Sequence, residues 1–200
     1  MVLKSVDNNV ERSFKITIQP AVLEDTKAIS QILVQSFYDF PEFINWLSPF
    51  LCFTIAEDLR YRLRSHSPRY SCFVAKLAPL DGDRQLAEDS DLNVVGTIEI
   101  ALRSLSLWSN HRQYPYISNL AVHHDFRRLG IGSQLLTKCE QVALDWGYQE
   151  TRLHVLDSNT LAKQLYCNNN YQISQIEANW RNLWFDYSPR LLLKKQIQTS

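Results

Sequence analysis

The sequence predicts an α/β domain built on a mixed sheet. The chain has 200 residues, of which 45% are hydrophobic, so it is long and apolar enough to form one packed core. Segments that alternate apolar and polar residues, as strands do, are interspersed with segments of helical spacing. Their order is one strand, two helices, three strands, a helix, a strand, a helix and two strands, which is typical of helices covering a mixed sheet.

The N-terminal half contains three of these strands and two helices. The segment FKITIQ alternates apolar and polar residues, and Pro20 ends it. Pro49 is a candidate break in the second helical stretch, and Pro68 ends that stretch. The predicted strands are 14–19, 70–77 and 94–102, the helices are 24–37 and 43–64, and 78–92 is a polar loop. A loose polar segment over 1–12 precedes a domain that spans 13–200.

The C-terminal half contains a long amphipathic helix, predicted over 130–146, whose apolar stripe repeats with the helical period. Gly147 lies where a C-terminal cap belongs. A second helix, capped by Ser158 or Asn159, extends to about residue 168. The predicted strands of this half are 116–122, 151–155, 171–176 and 190–197.

Composition and charge exclude several classes of function. Lys plus Arg and Asp plus Glu both number 21, so nothing indicates a nucleic-acid-binding surface. No segment has the composition of a signal peptide or of a membrane span. The four cysteines form no C-x-x-C pair, which indicates reduced thiols in a cytoplasmic protein without a metal site. The cluster His123, His124 and Asp125 follows a strand, and this position favours a solvated turn over metal ligands.

The segment RRLGIGS, residues 127–133, indicates an anion site at the start of a helix. The first backbone amides of a helix have no acceptor within it, and the helix dipole makes this end partly positive. Gly130 and Gly132 let an anion approach the backbone, and the two arginines add charge. The pattern lacks the lysine of a nucleoside-triphosphate loop, and Leu135 replaces the third glycine of a dinucleotide loop. A purely structural helix start remains the alternative at this point.

Three motifs together resemble the GNAT acyltransferase superfamily. RRLGIG is similar to its Q/R-x-x-G-x-G/A motif, YISNLAV to its central strand, and NTLAKQLYCNNNY to its N-x-x-A-x-x-L-Y-x-x-x-G-F motif. Their order and spacing match the family over about residues 94–176, and SNLAV followed by LHV is most like bacterial and chloroplast-type protein acetyltransferases. Asn170 replaces the family's glycine and tolerates the left-handed conformation of that turn.

The resemblance implies a mostly antiparallel sheet that splays between two parallel strands, 116–122 and 151–155, with acetyl-CoA in the opening. The main chain of the first strand would bind the pantetheine arm, the 127–133 segment the pyrophosphate, and Asn159 and Ala162 the opposite side of the cofactor. The implied cofactor-binding residues are Leu120, Ala121, Val122, Arg127, Arg128, Leu129, Gly130, Ile131, Gly132, Ser133, Asn159, Ala162 and Tyr166.

Acetyl transfer to an amine requires a base, an oxyanion donor and an acid for the thiolate. Tyr166 aligns with the family's L-Y tyrosine and is the candidate acid; its alternative role is ring packing. His154 is the candidate base, because imidazole is mostly neutral at pH 7, and Glu99 on the strand VVGTIEI is its rival. The amide of Val122 or Ala121 would meet the oxyanion.

The acceptor is the least specified partner. The resemblance to bacterial and chloroplast-type protein acetyltransferases favours a protein N-terminal α-amine or lysine as the acceptor. This amine would attack acetyl-CoA directly in a ternary complex. The alternatives are a small amine, such as a polyamine or amino acid, and a catalytically silent acyl-CoA-binding module. A monomer or a homodimer is expected, with no membrane or nucleic-acid partner. Aromatic residues that could flank the amine entry are Trp108, Tyr114, Tyr116, Trp180, Trp184 and Tyr187.

Overall fold

A computed structural model describes residues 2–7, 10–37, 47–65, 67–79, 94–106, 109–177 and 188–198. The helices are α1 (Thr26–Phe37), α2 (Ser48–Arg64), α3 (Ile131–Asp145) and α4 (Thr160–Asn168). The strands are β1 (Val2–Asp7), β2 (Val10–Pro20), β3 (Tyr70–Pro79), β4 (Val94–Ser106), β5 (Ser109–Val122), β6 (Glu150–Leu156), β7 (Gln172–Glu177) and β8 (Arg190–Gln196). They form one sheet in the order β1-β2-β3-β4-β5-β6-β8-β7, which confirms the predicted α/β class.

Contacts along the chain define two compact units, and the first comprises residues 1–99 and 119–135. Its strands β1, β2 and β3 pair antiparallel. Helices α1 and α2 pack through a buried cluster that includes Ile29, Leu33 and Leu59. The buried Asp25 carboxylate, just before α1, accepts the Val22 amide at 3.0 Å and pairs with Lys76 Nζ at 2.6 Å. This ion pair joins the start of α1 to β3.

The second unit comprises residues 100–118 and 136–200. Strand β8 pairs antiparallel with both β6 and β7, with a register shift between Ile173 and Gln175. Strands β5 and β6 run parallel, and their register in the described chain consists of Tyr116↔Arg152 and Ile117↔Leu153. The buried face of α3 in this unit carries Leu136, Cys139 and Ala143, of which the last two belong to the predicted apolar stripe.

The structure departs from the predicted elements mainly at the chain start and at two prolines. Residues 2–7 form β1, where a loose segment was predicted, because their main chain pairs with β2 whatever the side-chain polarity. Pro49 lies in the first turn of α2, where a missing amide costs nothing, so it begins that helix instead of breaking it. Pro115 lies within β5, which begins before it at Ser109. The predicted loop 78–92 falls mostly outside the described residues, and the domain limit at residue 13 stays a prediction.

The end of α3 confirms the predicted glycine cap. Gly147 has φ +83°, and the Tyr148 amide donates back to the Ala143 carbonyl at 2.9 Å. This left-handed residue and backward bond are the usual way in which a helix satisfies its last carbonyls. In the described parts of the chain, no helix combines the length and apolar character needed to cross a membrane.

Gly96 in β4 gives α3 room to approach the sheet. A Cβ at this position would lie 3.3 Å from the Ala121 carbonyl oxygen, from Ile131 Cγ2 and from Leu135 Cδ1. Two of these atoms belong to the buried first turns of α3, and the third to β5. The absence of a side chain at Gly96 therefore sets how closely the start of α3 lies against β4.

We expect substitutions at Gly96 to destabilise the protein in proportion to their size. Gly96→Ala forces neighbours to move by a few tenths of an ångström, whereas Gly96→Val adds branched bulk and should lower the free energy of unfolding by about 1–3 kcal/mol. Urea unfolding of the wild type and both variants measures this series. A Gly96→Val protein as stable as the wild type would contradict the packing described.

Candidate active site

The predicted anion site lies at the start of α3, in the first unit. The helix begins at Ile131, so the amides of its first turn have no acceptor within the helix. Gly130 has φ +73°, and a Cβ there would meet nothing within 4 Å, so the glycine is explained by backbone conformation. Arg128 also adopts a left-handed conformation, with φ +65°, and both its side chain and that of Arg127 are exposed. The loop thus presents positive charge beside the helix start.

The end of β5 leads directly into this loop. The His123 amide donates to the Val95 carbonyl at 2.9 Å, and the Ala121 carbonyl lies against Gly96, so both residues direct main-chain groups toward β4. Because groups alternate along a strand, the main-chain groups of Leu120 and Val122 face away from β4. Of the two predicted oxyanion donors, Val122 therefore has the better-placed amide. Arg127 Nε donates to the Val122 carbonyl at 3.0 Å and ties the loop to the strand.

Asn119, inside β5, has a left-handed backbone with φ +54°. This conformation is rare in strands, and Asn tolerates it better than most residues. The side-chain amide nitrogen donates to Glu99 Oε1 at 2.7 Å. The register of β5 with β6 ends two residues earlier, at Ile117, in the described chain. Asn119 thus marks a local break in the strand just before Leu120.

Glu99, the rival candidate base, is 1% exposed in β4. Its second oxygen accepts from the Tyr70 hydroxyl at 2.9 Å and from Arg62 of α2 in a charge-assisted hydrogen bond. Burial lowers the pKa of Arg62, but the neighbouring groups, with Glu99 first among them and then Tyr70 and Asp58, together more than offset this, so that the pKa is raised. Burial, followed by the Glu99 charge, raises the pKa of Cys72 to about 12. The carboxylate is therefore held by one charged and two neutral donors.

His154, the predicted base, lies on β6 in the second unit, and both of its ring nitrogens are bonded. Nδ1 lies 2.9 Å from the Tyr116 hydroxyl, and Nε2 lies 3.0 Å from Glu177 Oε1. The Arg103 guanidinium carbon lies 3.6 Å from the centroid of the Tyr116 ring. Burial raises the pKa of Tyr116, and the charges of Arg103 and Arg190 offset part of that rise.

Tyr166, the predicted acid, lies on α4 in the same unit and is 8% exposed. Its ring meets Tyr171 edge-on with centroids 6.0 Å apart, which is the kind of packing given as its alternative role, and its role as an acid stays a prediction. Burial, and then the neighbouring Tyr116, raise the pKa of the Tyr166 phenol above its ordinary value. The phenol therefore stays protonated near neutral pH and is a better hydrogen-bond donor than a full proton donor.

Asn159 caps α4, as one of the two predicted cap residues. Its side-chain oxygen accepts the Ala162 amide at 3.0 Å, which satisfies one of the first amides of the helix. The side-chain NH₂ retains donor capacity. Asn170, which replaces the family's glycine, has φ +64°, so the predicted left-handed turn after α4 is confirmed.

Four of the aromatic residues predicted at the amine entry lie outside the described residues, and the His123–His124–Asp125 cluster has no feature that indicates a bound metal. Trp108, Trp180, Trp184 and Tyr187 fall outside the described ranges. His123, His124 and Asp125 have their ligand-type atoms within 4.8 Å of one another. The last two are exposed and 3.0 Å apart, so their own pairing accounts for the cluster.

Sequence reasoning did not assign site roles to several residues that the structure brings into contact with the candidates. One local signal was available: an Asn within a strand is unfavourable there unless it has a special backbone. The others offered no local signal. The residues are Arg62, Tyr70, Asn119 and Glu177. Tyr116 was expected to flank the amine entry, but its contact with His154 was not predicted.

Comparison with known proteins identifies the family. The model of the Acetyltransferase (GNAT) family matches residues 36–168. The chain is 25% identical over 183 residues to GCN5-related N-acetyltransferase 10, chloroplastic, of Arabidopsis thaliana, covering 87% of this chain and 68% of the relative. It is 34% identical over 110 residues to Thialysine N-epsilon-acetyltransferase of Bos taurus, covering 55% of this chain and 60% of the relative.

A solved structure extends the likeness to the fold. The PaiA N-acetyltransferase from Thermoplasma acidophilum, in complex with coenzyme A, superposes with a TM-score of 0.64 at 17% identity, covering 91% of this chain and 99% of that one. The chain belongs to the GNAT acetyltransferase family, as its three motifs predicted. It is an acetyl-CoA-dependent N-acetyltransferase.

The Asn159 cap generates a prediction that separates its two roles. Asn159→Ala removes the cap and should lower the free energy of unfolding by about 1 kcal/mol. Asn159→Asp keeps an acceptor oxygen, so its stability should equal that of the wild type. Thermal unfolding measures both. If the amide also contacts acetyl-CoA, Asn159→Asp should have the stability of the wild type but a higher KM for acetyl-CoA. Equal stability of the wild type and both variants would contradict the cap.

Proposed function

We propose that this enzyme transfers the acetyl group of acetyl-CoA to a protein N-terminal α-amine or lysine side chain, in a ternary complex. The observation that carries the proposal is the hydrogen-bonded chain from Tyr116 through His154 to Glu177. Such a chain moves a proton away from an attacking amine, which a silent acyl-CoA-binding module does not need. The amine nitrogen attacks the thioester carbonyl carbon, the C–S bond breaks, and CoA leaves as a thiolate.

The two contacts of His154 decide which tautomer the neutral ring adopts. Glu177, when ionised, only accepts hydrogen bonds. A neutral imidazole has one N–H, so that proton lies on Nε2, facing Glu177 Oε1 at 3.0 Å. Nδ1 then accepts from the Tyr116 hydroxyl at 2.9 Å. The basic lone pair of His154 is therefore reached through Tyr116.

The proton of the amine consequently leaves by a relay. The Tyr116 oxygen takes a proton from the amine, directly or through a water molecule, as its own proton passes to His154 Nδ1. Glu177 stabilises the imidazolium that forms, because its charge faces Nε2. The Arg103 guanidinium over the Tyr116 ring stabilises negative charge that develops on the phenol during transfer. A lysine needs this relay more than an α-amine, because its amine is the stronger base.

The donor side of the proposal rests on the start of α3 and the end of β5. The first amides of α3 and the two exposed arginines bind the CoA pyrophosphate. The main chain of residues 120–122 binds the pantetheine arm, with the Val122 amide meeting the oxyanion. Tyr166 would donate a hydrogen bond to the departing thiolate sulfur, and because burial raises the pKa of its phenol it keeps its own proton.

A small-molecule amine is the second candidate acceptor. It is favoured by one observation, the 34% identity to a relative named for thialysine, a free amino acid with a side-chain amine. A cytoplasmic location and a monomeric or homodimeric state complete the proposal.

A panel of acceptors tests the proposed function. The protein is incubated with acetyl-CoA and, in turn, a lysine-free peptide with a free N-terminus, an N-acetylated lysine peptide, spermidine and thialysine, while free CoA thiol is followed. Thiol release with either peptide supports the proposal. Release with spermidine or thialysine alone supports the small-molecule alternative. CoA binding without release for any amine supports the silent module.

Disabling the relay should reduce turnover without preventing CoA binding. Tyr116→Phe and His154→Gln each remove a member of one proton path, so each should lower kcat by about 10²–10⁴-fold. Because the two act in series, the double variant should be no slower than the worse single variant. Steady-state kinetics with the preferred acceptor, beside the control Tyr148→Phe, measures this. Unchanged kcat in Tyr116→Phe would contradict the relay.

A further inference from the structure

Glu99 shares its buried carboxylate among three donors that come from three different elements. Arg62 lies on α2, Tyr70 on β3 and Asn119 on β5, while Glu99 itself lies on β4. A carboxylate offers about four lone-pair sites, so three donors leave little capacity to take a proton from a substrate. The arrangement is that of a fixed anchor and not that of a free base.

The anchor is strong because it is ionic and buried. Glu99 is 1% exposed, and Arg62 extends the network to Asp58 on its own helix, 2.6 Å away. Removal of one partner from a buried ion pair leaves an uncompensated charge, which costs far more than the loss of an exposed pair. The position of the Glu99 oxygens is thus fixed from two sides.

One of the groups held is Asn119, whose left-handed backbone precedes the proposed pantetheine-binding main chain. Asn119 Nδ2 donates to Glu99 Oε1 at 2.7 Å, and its φ is +54°. A non-glycine residue persists in this conformation only where its surroundings determine it. Rotation of the chain at Asn119 sets the direction of the Leu120 and Val122 amides that follow.

We propose that Glu99 is a positioning residue: by holding Asn119 in its left-handed conformation, it orients the main chain of residues 120–122 for acetyl-CoA. This inference rests on the part of the proposed function that places the pantetheine arm on that strand. It assigns Glu99 a role in cofactor binding and leaves the base role to His154. Because Arg62 lies on α2 and Asn119 on β5, the Glu99 carboxylate also links α2 to β5.

The test measures CoA affinity by calorimetry, which requires neither an acceptor nor a base. Glu99→Gln and Asn119→Ala should each weaken CoA binding by about tenfold, since small misplacements of binding groups are costly. Because they act through one contact, the double variant should bind no more weakly than about the worse single variant. Asn119→Gly keeps the left-handed backbone but not the anchor, and should bind CoA between the wild type and Asn119→Ala.

Asp25→Asn is the matched control. It removes the charge from another buried ion pair of the same unit, that with Lys76, but does not touch β5. Its stability should fall as that of Glu99→Gln does, while its CoA affinity stays that of the wild type. The pH dependence of kcat should be the same in Glu99→Gln as in the wild type.

Three results overturn the inference, and they differ from failure of the proposed function. Unchanged CoA affinity in Glu99→Gln removes the positioning role. Additive losses in the double variant show that the two residues act independently. A kcat that falls at unchanged CoA affinity, with an altered pH profile, makes Glu99 the base. A wild-type protein that binds no CoA instead overturns the donor site of the proposed function, and this inference with it.

Discussion

The buried Glu99 carboxylate is the constraint around which the first unit is arranged. An ionised carboxylate at 1% exposure is tolerated only with donors in place, and α2, β3 and β5 each supply one. These elements must therefore keep their mutual register for the charge to stay satisfied. The left-handed Asn119 is one outcome of that requirement, and the direction of the main chain after it is another.

Periodicity and turn chemistry predicted much of the fold. The apolar stripe of α3 and the glycine after it gave that helix to within about one residue, because both signals act locally. The RRLGIGS segment likewise predicted its own helix start, since Gly130 adopts the positive φ that few other residues accept. By contrast, β1 has no strong pattern of its own and is a strand through main-chain pairing with β2.

The candidate site was less predictable, because its contacts join residues far apart in sequence. His154 and Tyr166 could be selected by motif position, but the partners of His154 lie 38 and 23 residues away, at Tyr116 and Glu177. Arg62 is 37 residues from Glu99. No periodicity encodes such pairs, which depend on strand order and register. Sequence could therefore propose Glu99 as a base, whereas its bonding partners favour an anchor.

The hydrogen bonds of His154 also affect whether its imidazole could be acylated by a thioester. Imidazole is itself a nucleophile toward activated acyl groups, so a basic ring used near a thioester risks taking the acetyl group instead of a proton. Here Nε2 faces a carboxylate and Nδ1 is covered by the Tyr116 hydroxyl. In the proposed relay, neither nitrogen presents an open lone pair to an electrophilic carbon, so the ring would pass protons without itself being acylated.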